Sequence, residues 1–502
     1  MTEGLSRRAS SLSPKCGALA VPALAVLLAS AFACSQAGDN AKAPAPALAP
    51  SAAPTTPPMP SATPTATPAA GDLRAAVAVV DATPKVGVPL AGYTKRRRLV
   101  PDFDPNNDVQ YFAPSTAVRD PMLAKALVLE SGGQRLYILS IDAIATIAEV
   151  VERIVATARA KGSAVTADRL LAAASHTHSG PGALTSLGFW VQAATDSLVP
   201  RVRDAYVDAH AEAIVRAERS LAAARFGIGR SELEGATTNR RSGVSKVLKA
   251  GDIDPELFVM RVDHEDGTPL ATLTNYGIHG TALPAANEAL SADVMGVINR
   301  TVAQKTGAPA LFANSAEADI APLAATDAEM ESLGSVIGDK VVAVRSGIAT
   351  RDRVAIRVAT TTVDFGKAEL KLRADGLSTG ALDLSLLGTL LGGPSGISSI
   401  PLDETMVEHK FRMTAVALDG DVISAVPGEP VHRLGLDIKA RGKALGFANV
   451  LVFGLTNGFM SYVVDKDEYE AGGYEAAATF FGPDTGSRLT DACVQQIAAV
   501  AK

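Results

Sequence analysis

Two histidines separated by a single residue, His176 and His178, are the first side chains in the sequence whose spacing suggests chemistry. An apolar segment, residues 170–174, precedes them, and a Gly-Pro-Gly segment, residues 180–182, follows. Side chains at i and i+2 share one face of an extended chain, whereas on a helix they point in nearly opposite directions. We therefore predict a buried strand that stops at the Gly-Pro-Gly segment and presents two imidazoles to one metal ion. Two ordinary hydrogen-bonding histidines are the alternative.

Further candidate ligands follow other strand-like segments. Three pairs of apolar segments, each with a turn signal between them, predict β-hairpins: 126–129 with 136–141, 258–262 with 270–278, and 413–418 with 422–426. A polar residue comes after the second segment of each pair: Asp142, His279 and Glu429. The residues alone favour a site made of His176, His279 and Glu429, because zinc binds nitrogen and oxygen ligands and catalytic sites leave one position for water.

The other histidines and the cysteines do not suggest a site. We expect four histidines at the surface, because charged residues or a predicted turn lie beside them: His210, His264, His409 and His432. Cys16 and Cys34 lie near the start of the chain, so Cys493 is alone in the folded part and no disulfide is expected there. The basic run 95–98 is interpreted as a solvated turn.

Composition excludes some classes of function and divides the chain. The 502 residues are 47% hydrophobic and 20% charged with a net charge of −6, so no basic surface for nucleic acid is expected. Residues 1–33 resemble an export signal, in which basic residues precede a short apolar segment that ends in small residues. Cys34 follows directly, as at a bacterial lipoprotein processing site, and simple cleavage is the alternative. The protein is thus predicted in the cell envelope, lipid-anchored or periplasmic, or secreted.

The rest of the chain predicts a disordered linker and one large domain. Residues 34–72 are rich in Pro and Ala and cannot form a core, whereas residues 73–502 can. Apolar residues recur at helical spacing in five segments: 147–160, 200–224, 294–305, 328–344 and 488–500. Thr326 or Asp327 would cap the fourth. Strands and helices alternate, which predicts an α/β fold with a mixed, partly antiparallel sheet covered by helices. The Leu- and Gly-rich segment 376–400 is interpreted as a packed loop, with a lid or a lipid-contacting insert as alternatives.

Several short motifs, in the same chain order, resemble the neutral/alkaline ceramidases. The segment around His176 and His178 is similar to that family's T-H-T-H-S-G-P-G signature. Four further segments are similar to family motifs: Asn239-Arg240-Arg241 with Asp254-Pro255-Glu256, Ile278-His279-Gly280-Thr281, Pro427-Gly428-Glu429, and the tyrosine-rich end from Tyr462 through Tyr474 to Pro483. The spacing between the two tyrosines also agrees with the family pattern.

The resemblance implies a zinc-dependent amidohydrolase that cleaves the N-acyl bond of ceramide, or of a related acyl amide, into a fatty acid and an amine such as sphingosine. It implies that four side chains bind one Zn²⁺: His176, His279, Glu429 and Tyr462. It implies that three catalytic residues lie close to the reacting amide: His178, Arg240 and Tyr474. The implied partners are the lipid-like substrate and, through a lipid anchor, a membrane surface; no protein partner is predicted.

The sequence departs from the family pattern at two places. Residues 318–323, Ala-Asp-Ile-Ala-Pro-Leu, stand where the family has G-D-V-S-P-N, so Ala321 replaces a serine to which a catalytic role is assigned. A nucleophilic serine is excluded at that position, whereas attack by zinc-bound water is not. The chain ends at Lys502, so the family's C-terminal sandwich domain is expected to be absent. A zinc hydrolase of another ester or amide and a catalytically silent lipid-binding surface protein are therefore the alternatives.

Overall fold

The computed structural model describes residues 70–104, 106–245, 247–371 and 399–501. The predicted export signal, nearly all of the predicted linker and nearly all of the segment 376–400 lie outside these residues. The described residues belong to one compact unit, Ala66–Lys502. None of its described helices is both long and apolar enough to cross a bilayer.

A four-stranded sheet with one crossover helix forms the first module of the fold. Its strands are β1 Arg74–Asp81, β2 Leu123–Ser131, β3 Gln134–Ile141 and β4 Leu170–Ala174. The first three are antiparallel neighbours, and β4 lies parallel to β3. Because a parallel pair needs a crossover connection, helix α1, Ala148–Ala160, links β3 to β4. Helix α2, Pro200–Arg219, follows β4.

Two further modules repeat this connectivity. The strands of the second are β5 Ala222–Glu232, β6 Glu256–His264, β7 Pro269–Tyr276 and β8 Ala310–Asn314. Helix α3, Asp293–Thr306, links the parallel pair β7 and β8, and α4, Asp327–Ser346, follows. The strands of the third are β9 Ile356–Asp364, β10 Lys410–Leu418, β11 Asp421–Ala425 and β12 Asn449–Phe453. Its crossover helix is α5, His432–Ala444. Three helices follow β12: the short helices α6, Lys466–Ala471, and α7, Tyr474–Ala477, and the longer α8, Thr485–Val500.

Short strand pairs connect these modules to one another and to their loops. β1 and β5 pair over two residues, which joins the first two sheets edge to edge. The remaining pairs are Gly71–Asp72 with Arg353–Val354, Ala117–Val118 with Ala289–Leu290, Thr237–Asn239 with Ile320–Pro322, Ala368–Lys371 with Ser399–Leu402, and Glu429–Pro430 with Tyr462–Val463.

Each of the three sheets turns one face to a shared core and the other to its own helices. In β2, Leu127 and Leu129 enter the shared core, whereas Ala126 and Val128 pack with α1 and α2. This alternation follows from the two-residue period of a strand. The shared core also receives residues from the other two modules: Phe258, Met260, Leu273, Val416, Leu418 and Ile423. Because both faces of each sheet are buried, the sequences of the strands are nearly continuous apolar segments.

The structure confirms the predicted fold class and the three predicted hairpins, β2 with β3, β6 with β7 and β10 with β11. The Thr326 side chain caps α4 as predicted, because its hydroxyl accepts a hydrogen bond from the amide of Glu329. The predicted helix 200–224 is wrong at its end, since α2 stops at Arg219 and its last residues belong to β5.

Three surface predictions are also wrong. His210 and His432 are buried, at 1% and 3% exposure, whereas His264 is exposed as expected. His210 lies on the core face of α2, and His432 is held by the carboxylate of Asp319. In the basic run 95–98, Arg96 is buried and donates hydrogen bonds to the backbone carbonyls of His178 and Ala285. Cys493 is buried and forms no disulfide with another described residue.

Candidate metal centre and active site

The carboxyl ends of the parallel strand pairs bring the candidate ligands together. His176 follows β4, His279 follows β7 and Glu429 follows β11, so each module supplies one of them. Tyr462 comes from the segment after β12 and lies opposite Glu429 in a short parallel pair. Parallel neighbours end at the same edge of a sheet, and this edge of all three modules faces one point.

The donor atoms of His176, His279 and Glu429 are close enough to bind one cation. Nε2 of His176 lies 3.0 Å from Nε2 of His279 and 3.1 Å from Oε2 of Glu429. Nε2 of His279 lies 3.9 Å from the same carboxylate oxygen. Ligands at about 2.1 Å from a tetrahedral zinc ion are separated by roughly 3.4 Å, which matches these distances.

The second ring nitrogen of each histidine supports the same interpretation. Nδ1 of His176 lies 2.6 Å from the carbonyl oxygen of Ile144, and Nδ1 of His279 lies 3.3 Å from that of Glu317. A proton on Nδ1 leaves the lone pair of Nε2 free to bind a metal, and metal-binding histidines are commonly oriented this way. Oε2 of Glu429 is buried and has no hydrogen-bond partner among the described residues. These residues therefore fit a bound metal ion.

His178 faces the same point, but through a different backbone conformation from the one predicted. The strand ends at Ala174, and His176 has a left-handed φ of 72°, so the segment is not extended. Nε2 of His178 nevertheless lies 3.4 Å from Nε2 of His176. By distance alone His178 could also bind the ion, but its Nδ1 makes no hydrogen bond comparable to those of the other two rings. Burial lowers the pKa of His178 and that of His279, so both rings are neutral.

Two tyrosines and an arginine lie beside the candidate ligands. The rings of Tyr462 and Tyr474 are 5.1 Å apart, and Nη2 of Arg240 lies 3.4 Å from the hydroxyl oxygen of Tyr462. Burial raises the pKa of Tyr474 to about 12 and also raises that of Tyr462, so both phenols are protonated when no metal is bound. Burial lowers the pKa of Arg240, but Tyr462 and Glu475 raise it by more, so Arg240 is cationic.

Buried polar contacts hold Arg240 in place. The backbone amide of Arg240 donates to the carbonyl of Asp319, whose carboxylate accepts from the side chain of Asn239. The neighbouring Arg241 is fully buried and donates to the carboxylates of Glu468 and Glu475. Because Glu475 also accepts from Nε of Arg240, these contacts fix the segment that carries Tyr474.

Sequence reasoning missed one acidic residue of the site. Glu317 is fully buried, and one of its oxygens lies in a group with donor atoms of His176 and Glu429 that are all within 4.8 Å of one another. Burial and the nearby carboxylate of Glu429 raise the pKa of Glu317. The one signal that could have found it is its position after the apolar segment 310–313, which corresponds to the position of His176 after 170–174.

An apolar cavity opens next to the candidate ligands. It has an empty volume of about 1180 Å³, and one end is lined by His176, His178, Glu429, Tyr462 and Tyr474. The rest of its wall is mainly apolar and includes side chains of α1 and of the segment 184–195: Val151, Ile154, Leu184, Phe189 and Trp190. Ala321 does not line this cavity; it lies in the short strand Ile320–Pro322, opposite Thr238.

Comparison with known proteins identifies relatives of this chain. Residues 114–329 match the family model for neutral/alkaline non-lysosomal ceramidase, N-terminal. The neutral ceramidase of Pseudomonas aeruginosa is 24% identical over 447 residues, which cover 74% of this chain and 65% of that protein. Neutral ceramidase A of Dictyostelium discoideum is 22% identical over 475 residues, with 72% and 65% covered. The chain thus spans about 65% of the length of these curated relatives.

The fold agrees with these sequence matches. The crystal structure of the neutral ceramidase from Pseudomonas aeruginosa aligns with a TM-score of 0.70 at 20% identity, over 86% of this chain and 75% of that chain. A structure described as ceramidase complexed with C2 gives a TM-score of 0.71 at 20% identity over the same shares. The family model over residues 114–329, the curated relatives and the shared fold all support a relationship between this chain and the neutral/alkaline non-lysosomal ceramidases.

Proposed function

We propose that this protein is a zinc-dependent amidohydrolase that cleaves the N-acyl bond of ceramide, or of a related acyl amide, to a fatty acid and an amine. The observation that carries the proposal is the position of the metal-binding donor atoms at one end of a mainly apolar cavity. A long-chain acyl amide has the same arrangement, because its polar reacting group is attached to an apolar chain.

In this proposal His176, His279, Glu429 and Tyr462 hold the zinc ion. Nitrogen and oxygen donors suit zinc, and the buried carboxylate of Glu429, whose Oε2 makes no hydrogen bond with the described residues, favours a divalent cation at this point. When bound, zinc polarises a carbonyl group and lowers the pKa of a coordinated water from 15.7 to about 7.

In this proposal His178, Tyr474 and Arg240 assist the reaction without binding the metal. The reaction adds water to the amide carbon, breaks the bond between carbon and nitrogen, and moves one proton to the leaving amine. His178 is neutral and lines the cavity, so it suits the removal of that proton from water and its delivery to the amine. The protonated hydroxyl of Tyr474 suits a hydrogen bond to the developing oxyanion, and Arg240 positions the hydroxyl of Tyr462.

A catalytically silent lipid-binding protein is the second candidate, because Ala321 has no hydroxyl where the family pattern has serine. A zinc hydrolase of another acyl ester or amide is a variant of the first. Export, a lipid anchor on Cys34 and contact with a membrane surface stay predictions from residues 1–33, and they agree with a substrate found in membranes.

The test uses the purified full chain, its zinc content and the release of fatty acid from short-chain ceramide. We expect about one zinc ion per chain, loss of turnover with a chelator, and recovery when zinc is added back. His176→Ala should lose zinc and reduce turnover about a thousandfold or more, because metal Lewis acidity contributes several kcal/mol. Ala321→Ser should change turnover less than about fivefold, because attack by water needs no serine.

The exposed His264 provides the control, since His264→Ala should keep both zinc and turnover. Hydrolysis of other acyl substrates but not of ceramides would show that the substrate is another acyl ester or amide. Lipid binding without hydrolysis of any acyl substrate would support the second candidate. A gain of several orders of magnitude in Ala321→Ser would contradict the proposed mechanism.

A further inference from the structure

Glu317 occupies a position in the second module that corresponds to that of His176 in the first. His176 follows β4, the fourth strand of its module, and Glu317 follows β8, the fourth strand of the next. Both strands are parallel to the third strand of their module. The repeated connectivity therefore directs both residues to the same edge, and both side chains reach the point where the modules meet.

The carboxylate of Glu317 lacks the hydrogen bonds that a buried acidic group normally has. Its side chain is 0% exposed, and neither oxygen has a hydrogen-bond partner among the residues that the structure describes. Buried polar groups are nearly always paired, and an unpaired group calls for an explanation such as a bound ion. Oε2 of Glu429 also has no hydrogen-bond partner among the described residues, although Nε2 of His176 lies 3.1 Å from it.

The surroundings of Glu317 accommodate its carboxylate without pairing it. A Cβ atom on Gly454 would lie 2.9 Å from Oε2 of Glu317, so the absence of a side chain there makes room for this oxygen. Two carboxylates close to each other repel when both are charged, and removing them from water adds a further cost. A divalent cation between them offsets both effects.

Glu317 lies behind the residues that line the cavity. It does not line the cavity, whereas Glu429, His176 and His178 do. In this it resembles His279, which also approaches from the protein side. A group in this position suits metal binding and not proton transfer to a substrate.

We propose that Glu317 is an additional ligand of the metal ion held by His176, His279 and Glu429. The inference rests on the proposed metal centre and deepens it. The centre would then have two carboxylates and two imidazoles, of which Glu317 and His279 do not line the cavity, whereas His176 and Glu429 do, as do Tyr462 and His178. A metal centre with two carboxylate ligands should also bind Mn²⁺ more readily than a centre with one, since carboxylate ligands suit that ion.

The test compares Glu317→Gln with Glu408→Gln in the full chain. Glutamine keeps the shape and removes the charge, and Glu408 is a matched control because it is a largely buried acid that accepts two backbone hydrogen bonds away from the ligands. We measure zinc affinity by competition with a chelator, and the visible absorption of the Co²⁺-substituted proteins. Glu317→Gln should weaken zinc binding at least about tenfold and change the Co²⁺ spectrum, because loss of a ligand alters the coordination. Glu408→Gln should do neither.

Equal zinc affinity and an unchanged Co²⁺ spectrum in Glu317→Gln would overturn the assignment. A wild-type protein that binds no metal would instead contradict the proposed centre as a whole. If Glu317→Gln does not fold, crystals of the zinc-loaded wild-type protein decide the question by anomalous diffraction at the zinc edge. A carboxylate oxygen of Glu317 at about 2.0–2.2 Å from the ion supports the proposal, and one beyond about 3 Å contradicts it.

Discussion

The candidate metal-binding histidines differ from His210, the other buried histidine of the first module, because their ring nitrogens lie close to other possible metal ligands. His210 places Nδ1 2.7 Å from the carbonyl oxygen of Tyr206, much as His176 does with Ile144. Its Nε2 has no hydrogen-bond partner among the described residues, and His210 belongs to none of the groups of metal-binding atoms found there. A backbone carbonyl at Nδ1 is thus common to both situations, and the neighbours of Nε2 decide the role.

His210 should make the stability of the protein depend on pH. Burial lowers its pKa from 6.5 to about 4. Between these values the unfolded chain binds a proton at this ring and the folded chain does not, so the free energy of unfolding falls as the pH is lowered through this window. The expected contribution is on the order of 3 kcal/mol between pH 7 and pH 4. Urea unfolding of the wild-type protein and of His210→Gln at pH 7 and pH 4.5 measures it.

The variant His210→Gln should lose less stability on acidification than the wild-type protein. The exposed His264 serves as control, because His264→Gln should leave the pH dependence unchanged. The same slope in all three proteins would assign the pH dependence to other groups.

The buried state of His210 could have been predicted from its neighbours at helical spacing. Tyr206 and Ile214 lie four residues before and after it and are both buried, so the three share the core face of α2. The adjacent charged residues lie on other faces of the helix. The role of Glu317 was harder to predict from the sequence, because one acidic residue after an apolar segment is not distinctive.

At the scale of elements, the sequence was most informative where a turn separates two apolar segments. Gly132 and Gly133 both have positive φ and connect β2 to β3, so a predicted turn coincides with a backbone conformation that glycine favours. The end of α2 was not predictable in this way, because Ala222, Ala223 and Ala224 suit a helix and become a strand only through pairing with other strands.

The irregular segments of the site were not predictable from periodicity at all. Tyr462 and Tyr474 lie beyond the end of β12, and their assignment came from the family motifs alone. The turn at His176 was predicted as extended because spacing at i and i+2 suggests a strand, whereas the structure brings both rings together through a left-handed residue.

A loop from the beginning of the domain should control the position of His178. Gly92 has φ of 110°, and a Cβ atom there would lie 2.7 Å from Cγ and Nδ1 of the His178 ring. Gly92→Ala should therefore displace this ring and reduce turnover of an acyl amide about a hundredfold, as expected for loss of a general base. Zinc content should stay at the wild-type level, because the atoms nearest to a Cβ at Gly92 belong to His178 and not to His176, His279 or Glu429.

Metal analysis and turnover assays on the same preparation check this prediction. Gly87 also has positive φ but has open space around its Cα, so Gly87→Ala controls for backbone strain. Equal losses in both variants would show that strain, and not displacement of His178, causes the effect.

At the scale of the whole molecule, all three modules supply candidate metal ligands, whereas the described residues that line the cavity come from the first and third modules. His176, His279 and Glu429 come from three different modules, whereas α1 of the first module supplies a large part of the apolar wall. Preference for one acyl chain over another should therefore depend on residues of the first module that are remote from the ligands.

Val151→Phe should shift the preference of the proposed hydrolase towards short acyl chains. Val151 lies in α1, is 2% exposed and lines the cavity, so a larger ring shortens the space for a chain. With about 0.8 kcal/mol per buried methylene, exclusion of two or three methylenes lowers kcat/KM for a long-chain amide tenfold or more. The value for a short-chain amide should change less than about threefold.

The measurement is kcat/KM for a matched pair of amides that differ only in chain length. Glu152→Ala changes an exposed residue of the same helix and should leave the ratio unaltered. An equal loss of kcat/KM for both amides in Val151→Phe would show that the acyl chain does not bind beside Val151.

The candidate ligands come from three separate modules, so a bound ion would connect all three. Separation of any one module from the other two would remove at least one donor and open the coordination shell. Each such separation would release a bound ion to an excess of a strong chelator, so the release rate would set an upper limit on how often the modules come apart.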